Sequence, residues 1–312
     1  MESFQVAAQV VVPMALQMLV GVIMRLTKVT DRDTMKKVDQ MVSRVFMPLL
    51  MFYNIYTTDF STFQGYGFFF YGIGGLIVLF LAGIFVIPRI MRDRAAAAAM
   101  GQAIMRPNYI LFGAAVAESI YGSGNIGVVM LMGAFAVPLF NALSVILLEI
   151  GRNATASPGK ILKSICKNQI VIAAVIGLTM SLLGLRLPDL AVGVVSKLSG
   201  LATPLSFLSL GVSLNVRSIR NNRSVLTGGV LTRLVLVPGI FMTAAMLLGF
   251  RGQELCALML LFATPTAVSS YPLAVSMDAD GELAGQMVVF TTLGSLATIF
   301  LWVLLLGSMA ML

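Results

Sequence analysis

The amino-acid sequence predicts an all-α polytopic membrane protein, and three observations lead to this fold class. Of its 312 residues, 58% are hydrophobic and only 11% are charged, and the mean hydropathy is +0.95. A soluble domain carries about 25% charged residues, so this chain has too few polar groups to cover its surface. The apolar residues form long runs with short basic clusters between them. The solvent around most of the chain must therefore be lipid.

The apolar runs have the length of membrane spans. A helix needs about 20 apolar residues to cross the hydrocarbon core of a bilayer. The sequence predicts ten transmembrane helices, at residues 4–24, 38–57, 67–88, 95–118, 124–149, 168–186, 190–215, 224–248, 254–277 and 284–308.

The loops between these spans alternate in charge, which predicts the orientation of the chain. The net charge is +8, but the basic residues do not form a nucleic-acid patch. They gather in the first, third, fifth and seventh loops: Arg25, Lys28, Arg32, Lys36 and Lys37; Arg89, Arg92 and Arg94; Arg152, Lys160, Lys163 and Lys167; Arg217, Arg220 and Arg223. Loops rich in lysine and arginine stay in the cytoplasm. We expect a multi-pass protein of the cell membrane with both termini on the non-cytoplasmic side.

Paired prolines predict an internal duplication. Pro48 and Pro204 lie 156 positions apart in the second and seventh spans, and Pro107 and Pro265 lie 158 apart in the fourth and ninth. With five spans in each half, such a duplication is inverted in the membrane. The sequence thus predicts a first repeat at residues 1–150, a short cytoplasmic linker at 151–167 and a second repeat at 168–312.

The fourth span is expected to break at Arg106-Pro107-Asn108, since proline removes a backbone donor and clashes with the preceding turn. Interrupted helices at matching positions in two halves indicate the binding site of a transporter. A guanidinium can bind a carboxylate through two parallel hydrogen bonds, and an asparagine amide can donate to one. Alternatively, Arg106 pairs with Glu149 or Glu118 and serves only the fold, and Asn108 only caps a half-helix.

Other polar or helix-breaking residues within apolar runs extend this candidate site. For substrate binding they are Asn54, Asn141, Pro265, Thr266 and Ser269, and for coupling to an ion it is Glu118. Each also has a structural explanation, because amides and hydroxyls join membrane helices and Glu118 can be a hydrated carboxylate at a loop edge. Arg233, inside the eighth span, is expected to extend its charge to the membrane surface.

These motifs resemble the auxin efflux carrier family, which includes the plant PIN carriers and bacterial malonate-type carriers. The resemblance covers the whole chain and involves Val45–Phe52, Pro107-Asn108 with Gly113, Ile120–Gly122, Lys167–Ile170, Thr203–Gly211, Ala263–Pro265 with Asp280, and Phe290–Leu296. The family's second proline in the fourth span is replaced here by Ala115. The resemblance implies two inverted five-helix repeats with crossed broken helices 4 and 9, similar to bile-acid symporters and NhaA-like antiporters. It also implies a scaffold domain and a transport domain, with Asn108 in the substrate site.

The expected function is a secondary active transporter of a small organic anion, a carboxylate similar to auxin or malonate, with an elevator-type alternating-access mechanism. A sodium-coupled carrier similar to bile-acid symporters is one alternative, and a channel or membrane-embedded enzyme is another. An enzyme is not expected, because the sequence has no histidine and no nucleophile or phosphate-loop motif. Expected partners are the organic anion, the lipid bilayer and a coupling proton or sodium ion. The sequence does not decide between a monomer and a homodimer. Neither nucleic acid, a metal nor a cofactor is expected.

Overall fold

The computed structural model describes residues 2–57, 66–122, 126–152, 159, 163, 166–214 and 222–312, and its regular elements are all helices. Lys160, Arg217 and Arg220 of the predicted cytoplasmic loops lie outside the described residues, as does most of the predicted linker. The helices in chain order are α1 (Glu2–Leu26), α2 (Arg32–Met41), α3 (Met47–Tyr56), α4 (Tyr66–Phe85), α5 (Ile87–Ile90), α6 (Arg94–Met105), α7 (Tyr109–Tyr121), α8 (Gly127–Arg152), α9 (Gln169–Leu182), α10 (Asp189–Ser199), α11 (Ala202–Ser213), α12 (Arg223–Leu231), α13 (Val237–Leu247), α14 (Gly252–Ala263), α15 (Ser270–Ser276) and α16 (Gly281–Ser308).

Five helical stretches in the described part of the chain are long and apolar enough to cross a membrane. They are Gly67–Ile90, Gly127–Arg152, Asp189–Ser213, Arg223–Leu247 and Gly281–Ser308. Three shorter apolar helices accompany them: Val12–Leu26, Gln169–Leu182 and Gly252–Ala263. The fold class of a helical, polytopic membrane protein is therefore confirmed, whereas the count of ten spans stays a prediction.

The two predicted helix breaks are confirmed. α6 ends at Met105 and α7 begins at Tyr109, so the chain leaves helical geometry around Pro107. α14 ends at Ala263 and α15 begins at Ser270, on either side of Pro265. Each predicted span is thus two short helices joined by an extended segment.

Two further irregularities were not expected from the sequence. Wide π-helical turns at Val42–Phe46 and Thr232–Leu236 join α2 to α3 and α12 to α13. Each precedes a proline in the first turn of the next helix, Pro48 or Pro238. A proline ring clashes with the carbonyl four residues earlier, and in both cases that carbonyl lies in the π-turn. The wider turn relieves the clash without ending the helix.

The helices pack as two groups. The first group contains α1–α3 and α9–α11, with α1 against α11, α3 against α9 and α10, and α2 against α11. The contact of α1 with α11 is close because Gly21 and Gly211 face each other. A Cβ atom on Gly21 would lie 2.2 Å from the Leu208 carbonyl oxygen, and one on Gly211 would lie 2.1 Å from that of Met18.

The second group contains α4–α8 and α12–α16, and it holds both broken helix pairs. Here α6 packs against α4, α8 and α16, while α14 packs against α8 and α13. Each group takes helices from both halves of the sequence. The groups meet along a border where α1 contacts α7 and α16, α2 contacts α15, and α3 and α9 contact α8.

The two cysteines allow a test of the predicted orientation. Cys166 is exposed, and Cys256 is buried in α14. Because the fifth loop is predicted to be cytoplasmic, a membrane-impermeant maleimide should label Cys166 in inverted vesicles and leave it unlabelled in intact spheroplasts. Cys166→Ser should abolish labelling. Labelling in spheroplasts but not in inverted vesicles would show that the orientation is opposite to the prediction.

Candidate functional site

The extended segments of the two helix breaks pair with each other. Pro107 and Thr266 form an antiparallel bridge. The Asn108 N–H donates to the Pro265 carbonyl at 2.8 Å, and the Ala267 N–H donates to the Arg106 carbonyl at 3.0 Å. Buried backbone groups need hydrogen-bond partners, and each break provides them for the other. We call this paired segment, residues 106–108 and 264–267, the crossing.

The carbonyl ends of α6 and α14 are held by one side chain, Arg233. Its Nη1 donates to the Ile104 carbonyl at 2.8 Å, and its Nε and Nη2 donate to the Thr264 carbonyl at 2.9 and 2.6 Å. Arg233 is fully buried. The expectation that it reaches the membrane surface is therefore wrong. The guanidinium instead neutralises the partial negative charge at two helix C-termini. With a fourth hydrogen bond, from Nη2 to the Leu261 carbonyl at 3.4 Å, it satisfies carbonyls that the breaks leave free.

Pro265 and Thr266 belong to the crossing and are not among the residues that line the cavity beside it. The Thr266 hydroxyl donates to the Ala103 carbonyl at 2.7 Å, and the Thr266 N–H donates to the Thr291 hydroxyl at 3.1 Å. Thr266 is fully buried. Of the predicted substrate-binding residues, these two therefore hold the broken helices together.

A cavity of about 110 Å³ lies beside the crossing, at the border between the two helix groups. It has space for several water molecules. Six predicted substrate-binding residues line it together: Asn54, Arg106, Pro107, Asn108, Asn141 and Ser269. They come from α3, the two extended segments and α8, so the fold brings together residues that are more than 200 positions apart in sequence.

Two residues that line this cavity carry hydrogen-bond donors without partners among the described residues. Arg106 and Asn108 are 2% and 6% exposed. The Arg106 Nη2 donates to the Asn141 Oδ1, and the Asn141 Nδ2 donates to the Val137 carbonyl at 2.8 Å. Within the described part of the chain, Nε and Nη1 of Arg106 and Nδ2 of Asn108 have no partner. Three donor groups of the site are therefore not used by these residues.

The charge of Arg106 is not neutralised by a carboxylate. None of the ion pairs between described residues includes it. Glu149, one expected partner, instead pairs with Arg152 at 3.0 Å. Glu118, the other, is exposed near the end of α7 and does not line the cavity. Among the described residues around the cavity, Arg106 carries the only formal charge.

Part of the cavity wall is apolar. It consists of Met47, Leu50 and Met51 of α3, Val137 and Phe140 of α8, and Ile170 of α9. Thr203 at the start of α11 adds a hydroxyl to the lining, and it was not among the predicted substrate-binding residues. The site thus combines a polar end at the crossing with a hydrocarbon wall.

Two further pockets share lining residues with the cavity. One, of about 390 Å³, shares Asn54, Ile110 and Val137 with it and reaches Thr57 and Gly127 beside the second and fourth predicted loops. The other, of about 230 Å³, shares Ile170 with it. That second pocket carries the basic residues Arg44, Arg152 and Lys167 near the first and fifth loops. The cavity therefore lies between the ends that the charge pattern assigns to opposite faces of the membrane.

Comparison with known proteins identifies the family. The sequence profile of a family described as membrane transport protein matches residues 6–303. The chain belongs to this family. The match confirms the resemblance to the auxin efflux carriers. An uncharacterized transporter from Methanothermobacter thermautotrophicus is 24% identical over 312 aligned residues, which cover 96% of this chain and 98% of that protein. The protein is a membrane transport protein and not an enzyme.

Arg233 should be essential for the stability of the crossing. Hydrogen bonds from a charged group contribute about 1.5–3 kcal/mol each, so Arg233→Gln should lose roughly 3 kcal/mol or more and lower the melting temperature of purified protein. Arg223→Gln, an exposed arginine on the adjoining α12, should leave the melting temperature within about 1 °C. Equal melting temperatures for both variants would contradict the structural role of Arg233.

Proposed function

We propose that this protein is a secondary active transporter of a small organic anion, with a carboxylate bound at Arg106 and Asn108. The observation that carries the proposal is the set of three buried donors without protein partners in one cavity. No described residue around that cavity is acidic. A buried charge without a partner is destabilising by several kcal/mol, so a bound anion would both neutralise Arg106 and satisfy its free N–H groups.

The geometry of the donors suits a carboxylate. A carboxylate oxygen can accept a charge-assisted hydrogen bond from Arg106 at either Nε or Nη1, which lie on different edges of the guanidinium, while the Asn108 Nδ2 donates to the same carboxylate. The first turn of α7 also borders the cavity at Asn108, Tyr109 and Ile110. Its N-terminal N–H groups have no intrahelical partners and favour negative charge. The charge of Arg106, the Asn108 amide and the N-terminus of α7 would therefore all stabilise a bound anion.

The apolar wall favours an organic anion over an inorganic one. Methionine, leucine, valine and phenylalanine side chains cannot replace the water around a fully hydrated ion such as sulfate. A ligand with a carboxylate at one end and hydrocarbon at the other would bury the hydrocarbon against α3 and α8. Carboxylates similar to malonate or to an indole acid meet this description.

The arrangement of the helices is compatible with an elevator-type mechanism. We propose ten membrane spans in two inverted repeats, residues 1–150 and 168–312, joined by the linker 151–167. The first helix group would form the scaffold domain, and the second, which holds the crossing, would form the transport domain. The cavity lies at their border, so sliding of the second group would connect it alternately to the pocket at Thr57 and to the pocket at Lys167.

A panel of acetate, malonate and indole-3-acetate tests the proposal on purified protein. A ligand that binds the native state raises its melting temperature, so at least one carboxylate should do so, while sulfate should not. Uptake of the active carboxylate into proteoliposomes, with and without sodium or proton gradients, then separates a sodium-coupled from a proton-coupled carrier. A chain that binds no carboxylate of this panel would contradict the proposed substrate class.

Two variants test the site itself. Loss of a charged or buried hydrogen bond worth 1.5–3 kcal/mol weakens binding about 10- to 100-fold. Asn108→Ala should therefore raise the Kd of the active carboxylate at least tenfold without preventing folding, and Arg106→Gln should do the same. Arg186→Gln, an exposed residue between α9 and α10, is the matched control and should bind normally.

Each variant has an outcome that contradicts its assignment. If Arg106→Gln lowers the melting temperature but leaves the Kd of folded protein unchanged, Arg106 is structural. An unchanged Kd in Asn108→Ala, with normal folding, would remove the crossing from the substrate site.

A further inference from the structure

A buried carboxylate, Asp39, lies on the border between the two helix groups. It belongs to α2 of the first group and is 0% exposed. The helices packed against α2 are α11 of the first group and α15 of the second. Two hydroxyls on those helices, Ser209 of α11 and Tyr271 of α15, lie beside the carboxylate. Among the described residues, neither carboxylate oxygen has a hydrogen-bond partner of standard geometry.

No described cation neutralises Asp39. The sequences of α11, ATPLSFLSLGVS, and α15, SYPLAVS, contain no lysine or arginine and no second acid. The basic residues of α2 itself, Arg32, Lys36 and Lys37, are exposed, and so is Arg44 in the following π-turn. The other titratable group that faces Asp39 is the Tyr271 phenol.

The neutral form of the carboxyl group fits this position better than the charged form. An ionised carboxylate that is buried without a cation is strongly destabilised. A protonated carboxyl group has one O–H donor and an accepting oxygen, which match the hydroxyls of Ser209 and Tyr271. We propose that Asp39 is a proton-binding site whose occupancy holds the two helix groups in the packing observed here.

The position of Asp39 indicates how a proton could reach the carboxylate and how its release would be linked to movement of the second helix group. Tyr271 and Ser213 border an open pocket of about 490 Å³ that also contains Arg32 and Lys36, beside the first predicted loop. If the second group slides, α15 carries Tyr271 away and water in this pocket reaches Asp39. The O–H bond then breaks, its electron pair stays on the carboxylate and the proton passes to water. A role of this proton in transport depends on the proposed elevator motion. In that mechanism, protonation of Asp39 from the cytoplasmic side would favour the conformation seen here.

Melting curves of the full chain at several pH values test the proton site without any substrate. The packed state binds a proton that an unfolded aspartate, with a pKa of about 3.9, has already released. Stability should therefore fall as the pH rises above that value. Between pH 5 and pH 8, the melting temperature of the wild type should decrease relative to that of Asp39→Asn by roughly 3 °C per pH unit, until Asp39 ionises. Asp33→Asn, an exposed acid on the same helix whose partner is the exposed Lys36, should follow the wild type.

Infrared spectroscopy gives a direct second measurement. The wild type at pH 6 should show the carbonyl stretch of a protonated carboxylic acid, and Asp39→Asn should lack that band. If the band persists in Asp39→Asn, or if the variant keeps the pH slope of the wild type, the proposal is wrong. Because neither measurement uses a substrate, failure of the carboxylate panel would leave this result unaffected, and the two proposals can fail separately.

Discussion

The structure depends on how it satisfies the backbone groups that two helix breaks release. In a membrane interior, a free carbonyl or N–H group destabilises the fold by several kcal/mol unless protein or enclosed water binds it. The breaks at Pro107 and Pro265 meet this constraint mutually, since each extended segment is the hydrogen-bond partner of the other. Arg233 and the Thr266 hydroxyl then bind carbonyls at the ends of α6 and α14. Breaking either helix alone would leave these groups without partners.

Two buried arginines, Arg106 within this crossing and Arg233 bound to its carbonyls, differ in how their hydrogen-bond donors are used. All three side-chain nitrogens of Arg233 donate to backbone carbonyls, so its hydrogen-bonding capacity is used within the protein. Arg106 makes one side-chain hydrogen bond, to Asn141, and keeps Nε and Nη1 free. Both are equally inaccessible to bulk solvent. The number of remaining donors, and not burial, therefore distinguishes a residue that supports the site from one that can bind a ligand.

The sequence predicts the position of the breaks and six of the residues that line the cavity because both follow from local chemistry. A proline beside polar residues in an apolar run favours a break, whereas Pro13 and Pro138 lie inside α1 and α8 without ending them. Amides in such runs, such as Asn54 and Asn141, need polar surroundings. The role of Arg233 cannot be predicted from sequence motifs. Its partners are backbone carbonyls, which every residue type has, so no particular residue in the sequence indicates the contact. Asp39 was missed for another reason. It lies at the very start of the second predicted span, directly after a charged segment, and only tertiary packing shows that it points inward while the charged residues before it are exposed.

Buried polar groups without a hydrogen-bond partner among the described residues lie on both sides of the border between the helix groups. Arg106 and Asn108 face the border from the second helix group, and Asp39 faces it from the first. Inside each group, by contrast, the crossing and the glycine contact of α1 with α11 leave little freedom to move. An unpaired buried group is stabilised by any ligand that completes its bonding, a carboxylate at Arg106 or a proton at Asp39. In the proposed mechanism, ligand binding would therefore act on the border between the groups and control a change in their relative position.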